Sequence, residues 1–298
     1  MIRLNKIASA VLAGTLALSL AACSGDTASS SSAADTSSAS TGDTAASGEL
    51  AEDVQAIVDR GVLRVGVKSD VIGFGYLDPL TNEYSGLEID LAQKLADSLG
   101  VDIEYTTVTA ATRGQLIDSG DLDCDLATFT ITEERRQSWD FSTPYYTDYV
   151  SVLVENASGI STLADLEGKT VGVSTSSTSA AKLVEAMIEA GVISGDNYDS
   201  STFDPATWTE GVSFRQYDDY PAISTALSAG EVDAFCVDKS ILAYYKTEGR
   251  DFIDAEFAPQ EYGVVTRKGS GFSAYCDEFI QTCLEDGTID SLIEEYGL

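Results

Sequence analysis

The chain has 298 residues, 17 of them basic and 49 acidic, for a net charge of −32 and no histidine. That balance argues against nucleic acid and anionic membrane surfaces as partners, because both are held by clustered Lys and Arg. The length allows one large domain or two lobes, and the missing histidine excludes Ser-His-Asp and Cys-His catalysis.

The N-terminus reads as a targeting segment. Arg3 and Lys6 form a positive stretch, and Ile7 to Leu20 is apolar but too short for a comfortable membrane span. It ends in Leu20-Ala21-Ala22-Cys23, which resembles a bacterial lipobox and implies cleavage after residue 22 with lipid attached to Cys23. The alternative is an ordinary secretory signal with a chance cysteine. Removal of residues 1–22 takes away Arg3 and Lys6, so the charge moves from −32 to −34. Residues 23–48 are almost all Ser, Ala, Thr, Gly and Asp after Cys23 and predict a flexible tether. The folded part begins near Glu49.

From there strands and helices alternate. Leu63 to Lys68 reads as a strand and Leu87 to Leu99 as an amphipathic helix, with leucines at 87, 91, 95 and 99. Val101 to Val108 is a strand, and a short helix follows, headed by Arg113. Cys124 to Phe129 is a buried strand, and Tyr149 to Val154 is extended. Strands at Lys169–Ser174, Val212–Tyr217 and Val232–Val237 then interleave with helices at Ser179–Ala190, Ala222–Ser228 and Ser240–Lys246. Tyr262 to Arg267 is extended, and two helices close the chain. This order predicts an α/β fold in which the second half repeats the first, hence two similar lobes. Residues 191–211, rich in Gly, Asp, Ser and Thr, read as a longer surface loop.

In open α/β sheets, ligands sit off the carboxyl ends of the strands. Lys68, Thr128, Thr130, Ser177, Thr178 and Asp238 all follow strands, and Arg113 heads a helix after one. The segment Asp121–Tyr146, DLDCDLATFTITEERRQSWDFSTPYY, is the richest. Thr132 is a good N-cap for a helix whose first turn carries Arg135, and a guanidinium there can clamp a carboxylate through two parallel hydrogen bonds. The alternative is that Arg135, Lys68 and Arg113 are solvated surface cations.

ITEERR followed by FSTPYY, with Gly86-Leu87-Glu88-Ile89-Asp90-Leu91 upstream, resembles the polar amino-acid-binding proteins that feed ABC importers. The resemblance runs from about Val62 to the C-terminus and breaks mainly at 192–211. It implies the type II periplasmic-binding-protein-like fold, two lobes joined by two crossover strands near Tyr146–Val152 and Pro259–Val264. Lobe 1 would hold 49–147 plus 263–298, and lobe 2 would hold 152–257. It further implies roles for single residues. Arg135 grips the α-carboxylate, aided by Thr178. Thr128 and Thr130 reach the ligand's backbone atoms, and Asp238 takes the α-ammonium. Lys68 in GVKSDV, Arg113 in TRGQL and Tyr220 in DDYPAI resemble the aspartate- and glutamate-binding branch, where the two cations meet the distal carboxylate. Phe74 packs against the ligand's methylenes or simply joins the core. Glutamine or another polar amino acid remains the alternative ligand.

The implied function is capture without catalysis by an extracytoplasmic, lipid-anchored monomer on the outer face of the cell membrane. It would need no cofactor and would partner an ABC permease and its ATPase, since no P-loop stands in this chain. A lipid-tethered amino-acid sensor and a carboxylate-driven lyase are the rival functions. Zinc is not expected without histidine or a close cysteine pair. Cys124, Cys236, Cys276 and Cys283 are expected as mostly free, buried thiols. In one helix, Cys276 and Cys283 stand roughly 10 Å apart, beyond disulfide reach; a bridge from Cys124 to the last helices stays open.

Overall fold

The computed structural model describes residues 50–298. The expected signal peptide 1–22, the tether 23–48, Cys23 and the start near Glu49 lie outside the described residues.

The first strands form around a helical start. Helix α1 (Glu52–Arg60) precedes β1 (Val62–Val67), and a hairpin-like excursion follows through β2 (Asp70–Val71), β3 (Gly75–Leu77) and β4 (Tyr84–Ser85). Helix α2 (Leu87–Leu99) covers the sheet with the four leucines read from the sequence and stops at Gly100, whose φ of 69° is the left-handed conformation a helix end favours. Gly86 opens it at φ 131°, and a Cβ there would lie 2.1 Å from the Phe74 carbonyl oxygen, so only glycine fits. The chain continues through β5 (Asp102–Thr107), α3 (Arg113–Ser119), β6 (Cys124–Leu126), α4 (Glu133–Ser138) and β7 (Trp139–Phe141).

The long strand β8 (Tyr146–Glu155) then leads to β9 (Lys169–Ser174), α5 (Ser179–Glu189), β10 (Val212–Tyr217), α6 (Tyr220–Ala229), β11 (Ala234–Asp238), α7 (Lys239–Tyr245) and β12 (Arg250–Phe252). Strand β13 (Phe257–Tyr262) returns to β14 (Val265–Arg267), and α8 (Gly271–Glu285) and α9 (Thr288–Tyr296) finish the chain.

Two sheets result. The first has the order β5-β1-β6-β14-β7, and the second β10-β9-β11-β8-β12 with β13 also on β8. The pairings β5-β1-β6 and β10-β9-β11 are parallel, while β14 and β8 join them antiparallel. The chain passes from the first sheet to the second between β7 and β8, and back between β13 and β14. Strands β8 and β13 lie antiparallel side by side, with Tyr146 opposite Tyr262. One apolar core runs under the first sheet from Val65 and Leu91 to Phe272 and reaches Phe235 and Ile223 of the second. Another, around Val152, Val171, Leu183 and Met187, fills the second sheet's other face.

The four described cysteines are free and buried. No described helix is long and apolar enough to cross a membrane. The segment 191–211 is the longer surface loop expected of its composition, without helix or strand, but it is internally packed. Tyr198, Phe203 and Trp208 pack their rings 5.5–5.9 Å apart, with Phe214 6.2 Å from Phe203. The Glu210 carboxylate also ties the segment together by accepting from Ser194 Oγ and Asn197 Nδ2, each at 2.9 Å. Four aromatic side chains supply the small core that the polar composition hides.

Candidate ligand-binding site

Lys68, just past β1, is only 2% exposed. Its Nζ lies 3.2 Å from Asp70 Oδ1 and 4.7 Å from the centre of the Tyr220 ring. Burial pushes the ammonium pKa down, opposed by Asp70. Arg113 opens α3 and is buried. Its guanidinium donates to the carbonyls of Ala127 at 2.5 Å and Thr128 at 3.1 Å and stacks 3.8 Å from the centre of the Phe129 ring. Burial lowers its pKa as well, and its Nε has no partner among the described residues.

The turn after β6 carries the next groups. Thr128 has φ 47°, a left-handed conformation unusual for a residue with a Cβ. The conformation is held by its N–H, which donates to Glu88 Oε1 at 2.6 Å, while Tyr145 Oη donates to the same oxygen at 2.6 Å. Burial raises the Glu88 pKa to about 7. Two residues on, the Thr130 carbonyl accepts from Arg135 at 2.8 Å. Thr132 caps α4 by accepting the Arg135 N–H at 3.1 Å, as its position before the helix predicts. The Arg135 guanidinium lies 4.9 Å from the centre of the Phe129 ring and reaches across to the second sheet's Ser176 carbonyl at 3.2 Å. Arg135 stays partly open to solvent on one side. Burial of the other side, with Arg113 close by, lowers its pKa.

The second sheet presents three groups toward these. Thr178, at the start of α5, donates its hydroxyl to Gln260 Oε1 at 2.8 Å. Tyr220, the first residue of α6, lies beneath Lys68 and donates its N–H to Asp70 Oδ2 at 3.2 Å. Asp238 ends β11 and accepts from Tyr262 Oη at 2.5 Å. Burial, reinforced by the nearby Asp148 carboxylate, lifts the Asp238 pKa to about 7. Phe74 is fully buried, edge-on to Tyr146 at 5.0 Å and Tyr262 at 5.7 Å.

The structure therefore gathers Lys68, Arg113, Thr128, Thr130 and Arg135 on one side and Thr178, Tyr220 and Asp238 on the other. Lys68 is paired with Asp70, but the charges of Arg113 and Arg135 are not cancelled in place. Both guanidiniums end on main-chain carbonyls, and among the described residues neither has a carboxylate within ion-pair reach. Asp238 likewise has a phenol partner but no cation at bonding distance. A buried charge without its counter-ion is costly, so the arrangement suits a solute bringing both signs.

Sequence reasoning missed several members. Glu88 had a signal: it is a carboxylate on the otherwise apolar face of α2. Phe129, the platform under both guanidiniums, stood in view between Thr128 and Thr130. Asp70 is two residues beyond Lys68. Tyr262 on β13 donates to Asp238 and also lies 3.4 Å from Asp148 on β8, and neither left a local signal.

Comparison with known proteins gives a consistent picture. Residues 63–298 match the family described as bacterial extracellular solute-binding proteins, family 3. The ABC transporter glutamine-binding protein GlnH of Bacillus subtilis (strain 168) is 29% identical over 252 residues, covering 82% of this chain and 84% of its own. The glutamate-binding protein GluB of Corynebacterium glutamicum is 29% identical over 258 residues, covering 80% of each. Among solved structures, an ancestral arginine-binding protein bound to arginine superposes with a TM-score of 0.67 at 30% identity, covering 80% of this chain and 98% of that one. The fold is the two-lobed α/β periplasmic-binding-protein-like architecture expected from the sequence.

Proposed function

We propose, for a chain that belongs to the bacterial extracellular solute-binding proteins of family 3, that it captures a free amino acid between its lobes and hands it to an ABC importer. Glutamate or aspartate is the ligand the site favours. The lobes are residues 49–147 plus 263–298 and residues 152–257, closing about β8 and β13. Arg135 and Thr178 take the α-carboxylate, Asp238 the α-ammonium, and Thr128 and Thr130 the remaining backbone atoms. Lys68, Arg113 and Tyr220 line the side-chain end. Cleavage before Cys23 and lipid attachment to it would hold the monomer at the outer face of the membrane, beside the permease and its ATPase.

The observation that carries the ligand choice is the pair of guanidiniums with no carboxylate partner. An α-carboxylate answers Arg135. A neutral side chain would leave Arg113 buried and unpaired, whereas a second carboxylate supplies charge-assisted hydrogen bonds about twice as strong as neutral ones. Glutamine is the second reading, favoured by the likeness to the glutamine-binding protein of Bacillus subtilis. A thermal-shift panel on ligand-stripped protein separates the two. Glutamate and aspartate should raise the unfolding temperature more than glutamine at equal concentration, and Arg113→Gln should erase that preference. A larger shift with glutamine in the unsubstituted protein would keep amino-acid capture and remove the acidic ligand.

A further inference from the structure

Resting on the reading that an α-carboxylate sits at Arg135, we propose that this site also takes ligands extended through that carboxylate: α-dipeptides whose first residue is acidic. The space for the second residue is a groove of about 540 Å³ that begins at Arg135 and Thr178 and runs out between Trp139 and the 191–211 segment. A volume of that order matches small-molecule pockets.

Three features fit a second residue. Arg135 lines the groove as well as the cleft and, unlike Arg113 and Lys68, is open on that side. Its fork has five N–H donors, of which the Thr130 and Ser176 carbonyls occupy two. The peptide carbonyl and the displaced C-terminal carboxylate can both be served from there. Next, Ser177 lines the groove, and its Oγ, buried just behind the wall, has no partner among the described residues, so a small turn of the side chain would offer a ligand a hydroxyl. Last, Trp139, Tyr198 and Phe203 give the outer walls aromatic surface for a side chain. These walls are built rather than loose. Tyr198 Oη donates to Glu185 at 2.7 Å, Lys182 holds the same carboxylate at 2.7 Å, and the Phe203 ring is locked in its aromatic cluster. The segment 191–211, where the family resemblance breaks, thus forms one side of a subsite.

The test is calorimetric competition on the ligand-stripped protein with glutamate, α-L-glutamyl-L-alanine and α-L-glutamyl-L-phenylalanine. Both dipeptides should displace glutamate, with the phenylalanine form tighter by roughly tenfold through ring burial. Ala181→Phe, which fills the groove from α5, should abolish dipeptide binding and leave glutamate unchanged; Phe203→Ala should weaken the phenylalanine dipeptide selectively. Glutamate binding with no dipeptide competition overturns the proposal, as does equal loss of both ligands in Ala181→Phe. Dipeptide binding without any free amino acid would uphold the groove and remove the amino-acid reading, and silence from all three removes both.

Discussion

Arg135 and Arg113 sit on the same phenylalanine yet answer to different parts of a ligand, and their substitutions separate those parts. Arg135→Ala removes two charge-assisted hydrogen bonds worth about 1.5–3 kcal/mol each, so every amino acid should bind at least a hundredfold more weakly. Arg113→Gln should weaken acidic ligands and spare glutamine. Asp125 makes a different prediction. Both its oxygens are buried without a partner among the described residues, and burial raises its pKa to about 8. Glu88 and Asp238 are raised to about 7. Between the unfolded carboxyl value near 4 and these folded values, the native state holds protons that the unfolded chain has released. Stability of the ligand-free protein therefore falls as pH rises from about 4 to 8, by about 1.4 kcal/mol per pH unit for each such group. Asp125→Asn should flatten that slope in urea titrations taken at pH 5 and pH 8. A slope unchanged by the substitution would show that Asp125 ionises in the native state like a solvated carboxyl.

At the scale of elements, the site depends on how two helices begin. Thr132 sets the first turn of α4 and thereby aims Arg135. Thr132→Ala should cost about 1 kcal/mol of stability and weaken ligand binding beyond that loss, as urea denaturation and titration together would reveal. Gly86 opens α2 and lets Glu88 reach the Thr128 turn; Gly86→Ala forces a clash with the Phe74 carbonyl and a positive φ, destabilising by about 1–3 kcal/mol. The start of α4 was legible from its N-cap threonine, and α2 from its leucine repeat, while Gly86 stood out only through the family resemblance. Strand positions were legible from β-branched and aromatic residues at alternate places, Val171 and Val173 in β9 and Val212 and Phe214 in β10. The excursion β2–β4, with strands of two or three residues, carries too few residues to show a period. The 191–211 segment hid its order because its three aromatics stand five residues apart, a spacing of neither helix nor strand, among Gly, Asp, Ser and Thr.

The whole molecule carries −32 while offering cations to an anion. Long-range repulsion slows approach, and salt screens it within about 8 Å at physiological ionic strength, so stopped-flow capture rates for glutamate should rise with added salt. A rate that falls with salt would mean that local cations steer the encounter. The two sheets meet through Arg135 to Ser176, Lys68 over Tyr220, and Tyr220 to Asp70. The residues that carry these contacts stood in the sequence, but their pairing across the cleft depends on two crossings of the chain more than a hundred residues apart. The central claim is that a zwitterion completes this set of separated charges. It is tested most directly by calorimetric titration of refolded, ligand-stripped protein with glutamate, beside its Arg135→Ala variant. Tight one-to-one binding that Arg135→Ala abolishes is the predicted result; binding that survives the substitution, or no heat with any amino acid, would contradict it.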